Sequence, residues 1–407
     1  MMRYSVFLLL LLVLLSCDAP QPVLRDGPWV AELEVKDGEL LPFAFTVSTA
    51  EDGSKRMEIH NAEEVIQVDE IWVQGDSIVI RPPVFEGYLA GRFTKTGISG
   101  SFVKEGLDRV VPFQATYGRK HRFGSAQAPN TDVSGSWEAD FSAGTLDAYK
   151  AKGIFEQQGE KVTGTFRTAK GDYRFLEGVV LGDTLRISAF DGAHAFLFTA
   201  AVSDSTMTGT FYSGNHFKEP FVAKRNEGFE LPDAETLTYL KGGYETLEFA
   251  FPDEKGHAVS LNDARFKDKV VIVQLMGTWC PNCLDESKFI AQYLRENPHP
   301  DLAVVALAFE YVKTPEKAFQ NIKRLRERLH LEYPILLAQY GTTDKAEAQK
   351  KLPMLNHVLS YPTTLFVDRN GKVRRIHTGF DGPATGEKYK AFISDFDGFV
   401  KKLLQEE

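Results

Sequence analysis

Val270-Val271-Ile272-Val273-Gln274-Leu275-Met276-Gly277-Thr278-Trp279-Cys280-Pro281-Asn282-Cys283 is the stretch on which the reading of the fold turns. Its first seven residues are almost unbroken apolar, the pattern of a strand buried on both faces. A short turn follows, and then the amphipathic run Leu284 to Glu296 reads as a helix. Strand, turn and helix in that order put Cys280 at a helix N-terminus, where unpaired backbone N–H groups and the helix dipole favour a thiolate. Pro281 suits the first helical turn, where no N–H is needed. Two intervening residues let Cys283 turn back on a disulfide formed at Cys280. The competing reading is half of a zinc site, which requires further ligands, and the one remaining cysteine is Cys17. No metal and no cofactor are expected.

Outward from this unit, strands and helices alternate. An apolar strand, Leu302 to Phe309, precedes a helix from Pro315 to His330 and a strand from Tyr333 to Ala338. A short helix around Asp344 to Lys351 leads into a strand from Tyr361 to Asp368, with Gly371 to Ile376 as its hairpin partner. A last helix runs from Glu387 to about Leu404. The order is a βαβ half joined to a ββα half.

Gly277-Thr278-Trp279-Cys280-Pro281-Asn282-Cys283, with Tyr361-Pro362-Thr363 and the run to Lys372, resembles the thioredoxin superfamily. More narrowly it is similar to the TlpA/ResA-like extracytoplasmic thiol-disulfide oxidoreductases, and the likeness covers about 160 residues. The resemblance implies that Cys280 is the nucleophile, Cys283 the resolving thiol and Pro362 a cis-proline facing them. It also implies that Trp279, Tyr361 and Thr363 meet the substrate chain. One departure is informative: where thioredoxin has a buried acidic residue six positions before the first cysteine, this chain has Gln274, and an amide cannot accept a proton. Glu286, three positions after Cys283, matches a glutamate that serves instead in the TlpA/ResA branch; partial burial would raise its pKa and suit it to proton exchange. The neighbouring Asp285 competes for that role. Glu310, ending the second strand, matches another glutamate of the branch.

The other end of the chain reads as an export signal. Arg3 precedes the apolar run Val6 to Leu15, too short for the about 20 residues that span a bilayer. Leu14-Leu15-Ser16-Cys17 resembles the lipobox of bacterial lipoproteins, in which the cysteine is lipidated and leads the mature chain. The alternative is a secreted protein cleaved nearby. Lipidation at Cys17 implies a membrane-tethered protein of the cell envelope, periplasmic, with inner or outer membrane undecided.

Between lies a region of short alternating strands broken by Gly, Asp and Asn, the signature of all-β structure. Gly27-Pro28-Trp29 is echoed by Gly135-Ser136-Trp137, Gly75-Asp76-Ser77-Ile78 by Gly182-Asp183-Thr184-Leu185, and Ile98-Ser99-Gly100 by Met207-Thr208-Gly209. Three matches in one order at nearly one offset imply a duplicated antiparallel module, each copy a small barrel or sandwich. Trp29 and Trp137 read as core, and His60, His194 and His216 as solvated or core residues. The expected architecture is therefore two all-β antiparallel modules followed by an α/β thioredoxin-like domain. Its divisions are a signal peptide (1–16), lipidated linker (17–26), first module (27–126), second module (127–228), linker (229–246) and redox domain (247–407).

The composition, 43% hydrophobic and 25% charged, is ordinary for globular proteins. A net charge of −9 argues against nucleic acid as a partner. The expected partners are exported proteins with disulfides and a membrane electron donor. Two rivals stand beside this: a thiol peroxidase, for which Gln274 to Trp279 lacks the threonine and proline cradle, and an envelope scaffold that binds through the β modules.

Overall fold

Along Gly27–Glu34, Trp29, Ala31 and Leu33 alternate with less buried neighbours, so every second side chain enters a core. That pattern recurs strand after strand through Arg225. The computed structural model describes residues 23–124 and 127–406; the proposed signal and Cys17 lie outside the described residues.

Residues 27–225 form two nine-stranded antiparallel sheets in which nearly every strand pairs with its neighbours in sequence, and the first strand of each pairs with its last. The two copies correspond in detail. Trp29 donates through its indole N–H to the Arg25 carbonyl at 3.0 Å, and Trp137 to the Val133 carbonyl at 2.9 Å, four residues upstream in each case. Trp29 stands opposite Tyr117 and Trp137 opposite Arg225 in the closing ladders. In the second copy, strand Tyr149–Gln158 pairs with Lys161–Thr168, which pairs with Leu176–Leu181, so eight strands close into a barrel. A barrel of this size is filled by its own side chains; Trp137, Phe141, Phe155, Phe166, Phe198 and Phe221 fill it.

The first copy does not close in the same way. Its sheet ends at Glu64–Val68 on one side and Glu70–Gln74 on the other, consecutive strands joined by Asp69 with no ladder between them among the described residues. The seam is covered by the redox domain: Arg328, at the end of helix Pro315–Leu329, pairs with Asp69 at 2.9 Å and with Glu70, and Arg324 pairs with Glu70 at 2.7 Å.

The C-terminal domain has a five-stranded sheet ordered 335–339, 302–309, 270–276, 363–367, 373–378. Strands 270–276, 302–309 and 335–339 run parallel, and 363–367 is antiparallel to the central one. All seven residues of Val270–Met276 are buried, which is why the run carries no alternation. The helix after it begins at Pro281, earlier than its amphipathic pattern shows, because Cys280 itself is the N-cap. The third strand starts at Ile335, after Tyr333-Pro334, since proline lacks the N–H a ladder uses. Residues 229–246 run onto the redox domain: Ala234–Leu237 is a one-turn helix, and Thr246 bridges to Lys372. Among the described residues, no helix is long and apolar enough to cross a membrane.

Candidate active site

Cys280 and Cys283 form a disulfide, with their Cα atoms 5.2 Å apart. Cys280 is 7% exposed and Cys283 is fully buried, so one sulfur can be attacked from outside and the other acts from within. The backbone N–H of Cys283 points at Cys280 Sγ from 3.2 Å, the local donor that stabilises a thiolate at a helix N-terminus. On the other side Cys280 Sγ lies 3.4 Å from the Tyr361 carbonyl oxygen. The Tyr361–Pro362 peptide is cis, and through that carbonyl its loop meets Cys280. Thr363, expected against the substrate, is fully buried; its hydroxyl donates to the Ser360 carbonyl at 2.8 Å and braces the loop instead.

Two buried carboxyl groups flank the disulfide. Glu286 is buried rather than only partly so, and its two oxygens accept from the Thr364 hydroxyl and the Gln274 amide, each at 2.8 Å. Burial pushes its pKa up to about 7, against the pull of those two hydrogen bonds. Gln274 is thus the hydrogen-bond partner of this buried carboxyl, with its own oxygen taken by the Ser287 hydroxyl at 3.1 Å. Asp285 is committed elsewhere, to Arg174 of the second barrel and to Lys288. Glu310, fully buried, takes the Thr278 N–H and the Thr278 hydroxyl at 2.7 Å each, and burial pushes its pKa up to about 7 as well. It fixes the turn that presents the cysteine. Trp279 is held by its indole N–H on the Phe309 carbonyl at 2.9 Å and meets the Tyr361 ring edge-on at 6.0 Å.

A carboxyl poised near neutrality one helical turn beyond Cys283 is suited to take its proton as that thiol attacks the mixed disulfide. Replacing Glu286 by glutamine is expected to lower turnover roughly tenfold to a hundredfold at neutral pH and to remove the limb near pH 7 from the pH–rate profile. The same substitution has a stability signature. The folded-state pKa lies above the ordinary 4.5, so Glu286 contributes stability below about pH 4.5 that is lost as pH rises through about 7. Denaturant unfolding between pH 4.5 and 8 should show part of that loss, on the order of a few kcal/mol, absent in Glu286→Gln.

The barrel side of the site was not visible in the sequence. Hairpin residues 168–172 of the second barrel lie across the redox face. The Lys170 carbonyl accepts from the Ser360 hydroxyl at 2.8 Å, and the Asp172 carbonyl from the Asn282 side chain at 3.2 Å. The Asp172 carboxylate accepts from Gly382 N–H at 2.6 Å. A Cβ on Gly171 would overlap Asn282, and its φ of +131° also suits glycine alone. Arg167 clamps Asp381 with two 2.8 Å bonds. Between barrel and redox domain remains a cleft of about 910 Å³, with Cys280 and Trp279 on one wall and Tyr149, Tyr173 and Phe196 on the other. Lys345 lies 4.4 Å over the Tyr361 ring, its pKa pushed down to about 8 by burial and by the nearby Lys170. Hairpin turns carry no periodic signal that names their tertiary neighbour, so only the presence of a turn near Gly171 could have been anticipated.

The family model of the AhpC/TSA family matches residues 243–376. A thioredoxin-like protein, YneN of Bacillus subtilis, is 29% identical over 140 residues, covering 34% of this chain and 73% of that protein. Thiol-disulfide oxidoreductase ResA of Geobacillus kaustophilus is 26% identical over 142 residues, 35% of this chain and 72% of its own. Among solved structures, a thioredoxin-family thiol:disulfide interchange protein from Chlorobium tepidum is 21% identical and covers 39% of this chain and 95% of its own, with a TM-score of 0.30. The family model spans Cys280, Cys283 and the cis Pro362, and the domain that holds them is a thioredoxin-like thiol-disulfide oxidoreductase similar to YneN and ResA.

Proposed function

We propose that the chain is a membrane-tethered extracytoplasmic reductase or isomerase of disulfides in exported proteins. The observation that carries the chemistry is Cys280, nearly buried at a helix N-terminus, beside the Tyr361 carbonyl and with Cys283 behind it. In the reduced protein the Cys280 thiolate attacks one sulfur of a substrate disulfide, and the other sulfur leaves as a thiolate. Cys283, losing its proton to Glu286, then attacks Cys280 Sγ. The internal disulfide forms, the substrate departs as a dithiol, and two electrons have passed to it. A membrane dithiol donor must restore the Cys280/Cys283 pair. Tethering rests on Leu14-Leu15-Ser16-Cys17 and the apolar run before it.

The test is the reduction potential of the Cys280/Cys283 couple in the full chain, equilibrated in graded thiol buffers. The expected value is about −250 mV or lower, in the range of reductants, while a value near about −120 mV would make the protein an oxidant and overturn the direction. Labelled fatty acid should enter the wild-type chain and not Cys17→Ser. The AhpC/TSA match supports peroxide consumption as the second reading to assay, although the turn before Cys280 has Gly277 three positions upstream and no proline between Gln274 and Trp279.

A further inference from the structure

The second barrel contributes more than a support for the redox domain. Its 168–172 hairpin touches the redox domain around Cys280 at three points: Asn282 in the first turn of the cysteine-bearing helix, Ser360 before the cis-proline, and Gly382 in a further loop. A broad folded surface pressed toward the disulfide would meet this hairpin first. What remains open is the cleft of about 910 Å³. Its walls are apolar side chains drawn from three parts of the chain, chiefly Tyr173 and Phe196 of the barrel, Phe229 and Leu231 of the connecting segment, and Trp279 and Tyr361 of the redox domain.

We propose that these three parts form one substrate site, which admits a single extended polypeptide segment carrying the target disulfide with apolar or aromatic side chains beside the cysteine. The proposal rests on the reductase reading above and specifies its substrate. A low-molecular-weight polar disulfide is the poorer occupant, because the cleft's carboxylates are already engaged: Glu230 by Lys152 at 2.6 Å, and Asp172 by the N–H groups of Gly382 and Arg174. Lys150 is likewise held by Glu138 and Asp140, both at 2.8 Å. The cleft is also near the upper end of the volumes that small ligands fill. Aromatic walls match the apolar side chains that an unfolded segment exposes and a folded protein hides.

The experiment compares kcat/KM of the reduced full chain, recycled by dithiothreitol, on three disulfides. These are hydroxyethyl disulfide, a disulfide-linked pair of extended peptides with Phe and Leu flanking each cysteine, and a folded protein with one exposed disulfide. The peptide should be preferred over both others by about tenfold or more, the scale of burying one apolar side chain. In Phe229→Glu and Leu231→Glu, both at partly exposed positions, the ratio of peptide to hydroxyethyl disulfide turnover should fall by about tenfold. Equal rates on folded protein and peptide would overturn the proposal, and so would a peptide no better than hydroxyethyl disulfide. Cys280-dependent turnover of any of the three leaves the reductase reading standing, whereas no turnover of all three removes that reading itself.

Discussion

Cys280→Ser is expected to lower disulfide reduction by on the order of a thousandfold or more, because no second group in the site can supply the attacking sulfur. Cys283 is fully buried behind it, and the remaining cysteine, Cys17, lies outside the described residues. Cys283→Ser should fail differently. The first attack still occurs, but the mixed disulfide has no resolving thiol, so the protein accumulates covalently bound to its substrate. Intact mass measured after incubation with a peptide disulfide separates the two: an adduct of one peptide chain on Cys283→Ser and none on Cys280→Ser. An adduct on Cys280→Ser that vanishes when Cys283 is also replaced would reverse the assignment of nucleophile and resolving thiol.

The second large effect is structural and sits at Arg174. This guanidinium, 4% exposed, joins all three domains: it pairs with Glu64 of the first barrel and Asp285 of the cysteine-bearing helix, and lies 3.8 Å from Asp191 of its own barrel. It also donates to the Pro281 carbonyl at 3.3 Å. Arg174→Met strips the shared counter-charge from three carboxylates, of which Asp285 keeps Lys288 at 3.5 Å, and removing one partner of a buried ionic cluster costs about 3–5 kcal/mol. Denaturant unfolding should show that loss. Adding Glu64→Gln and Asp285→Asn should restore part of it, since the orphaned charges are then gone, and the non-additivity measures the coupling. Arg174→Lys should rescue poorly, because an ammonium cannot reach several acceptors at once as the guanidinium fork does.

Much of the redox domain was legible because its signals are local. The apolar run of Val270–Met276, the cysteine spacing and the proline before Thr363 each report on their own neighbourhood, and all three meet at one point in the fold. The duplication was legible from Trp29 and Trp137, whose equal bonds to carbonyls four residues back show why the tryptophan recurs. Long-range placement was not legible. Glu286 was expected to be partly buried, but it is sealed in by Thr364 of a strand 78 residues away. Arg174 and the 168–172 hairpin carry no signal of their role in the sequence, because the partners at Pro281 and Asn282 lie about a hundred residues on, where no periodicity points. Nothing in the sequence placed the β region at the cysteines, where Tyr149, Tyr173 and Phe196 wall the cleft.

The seam in the first barrel sets an order of events. A chain emerges N-terminus first, and domains fold as units as they appear. Strands Glu64–Val68 and Glu70–Gln74 emerge early, yet the arginine that clasps Glu70 between them and the redox domain lies 258 residues further along. The two strand edges stay unpaired in the finished fold, with Val65, Trp72 and Val73 exposed beside them, and until the arginine arrives Asp69 and Glu70 between them also lack their counter-charges. This seam therefore waits for a much later part of the chain, and a chain truncated before residue 324 leaves Asp69 and Glu70 without their clasp.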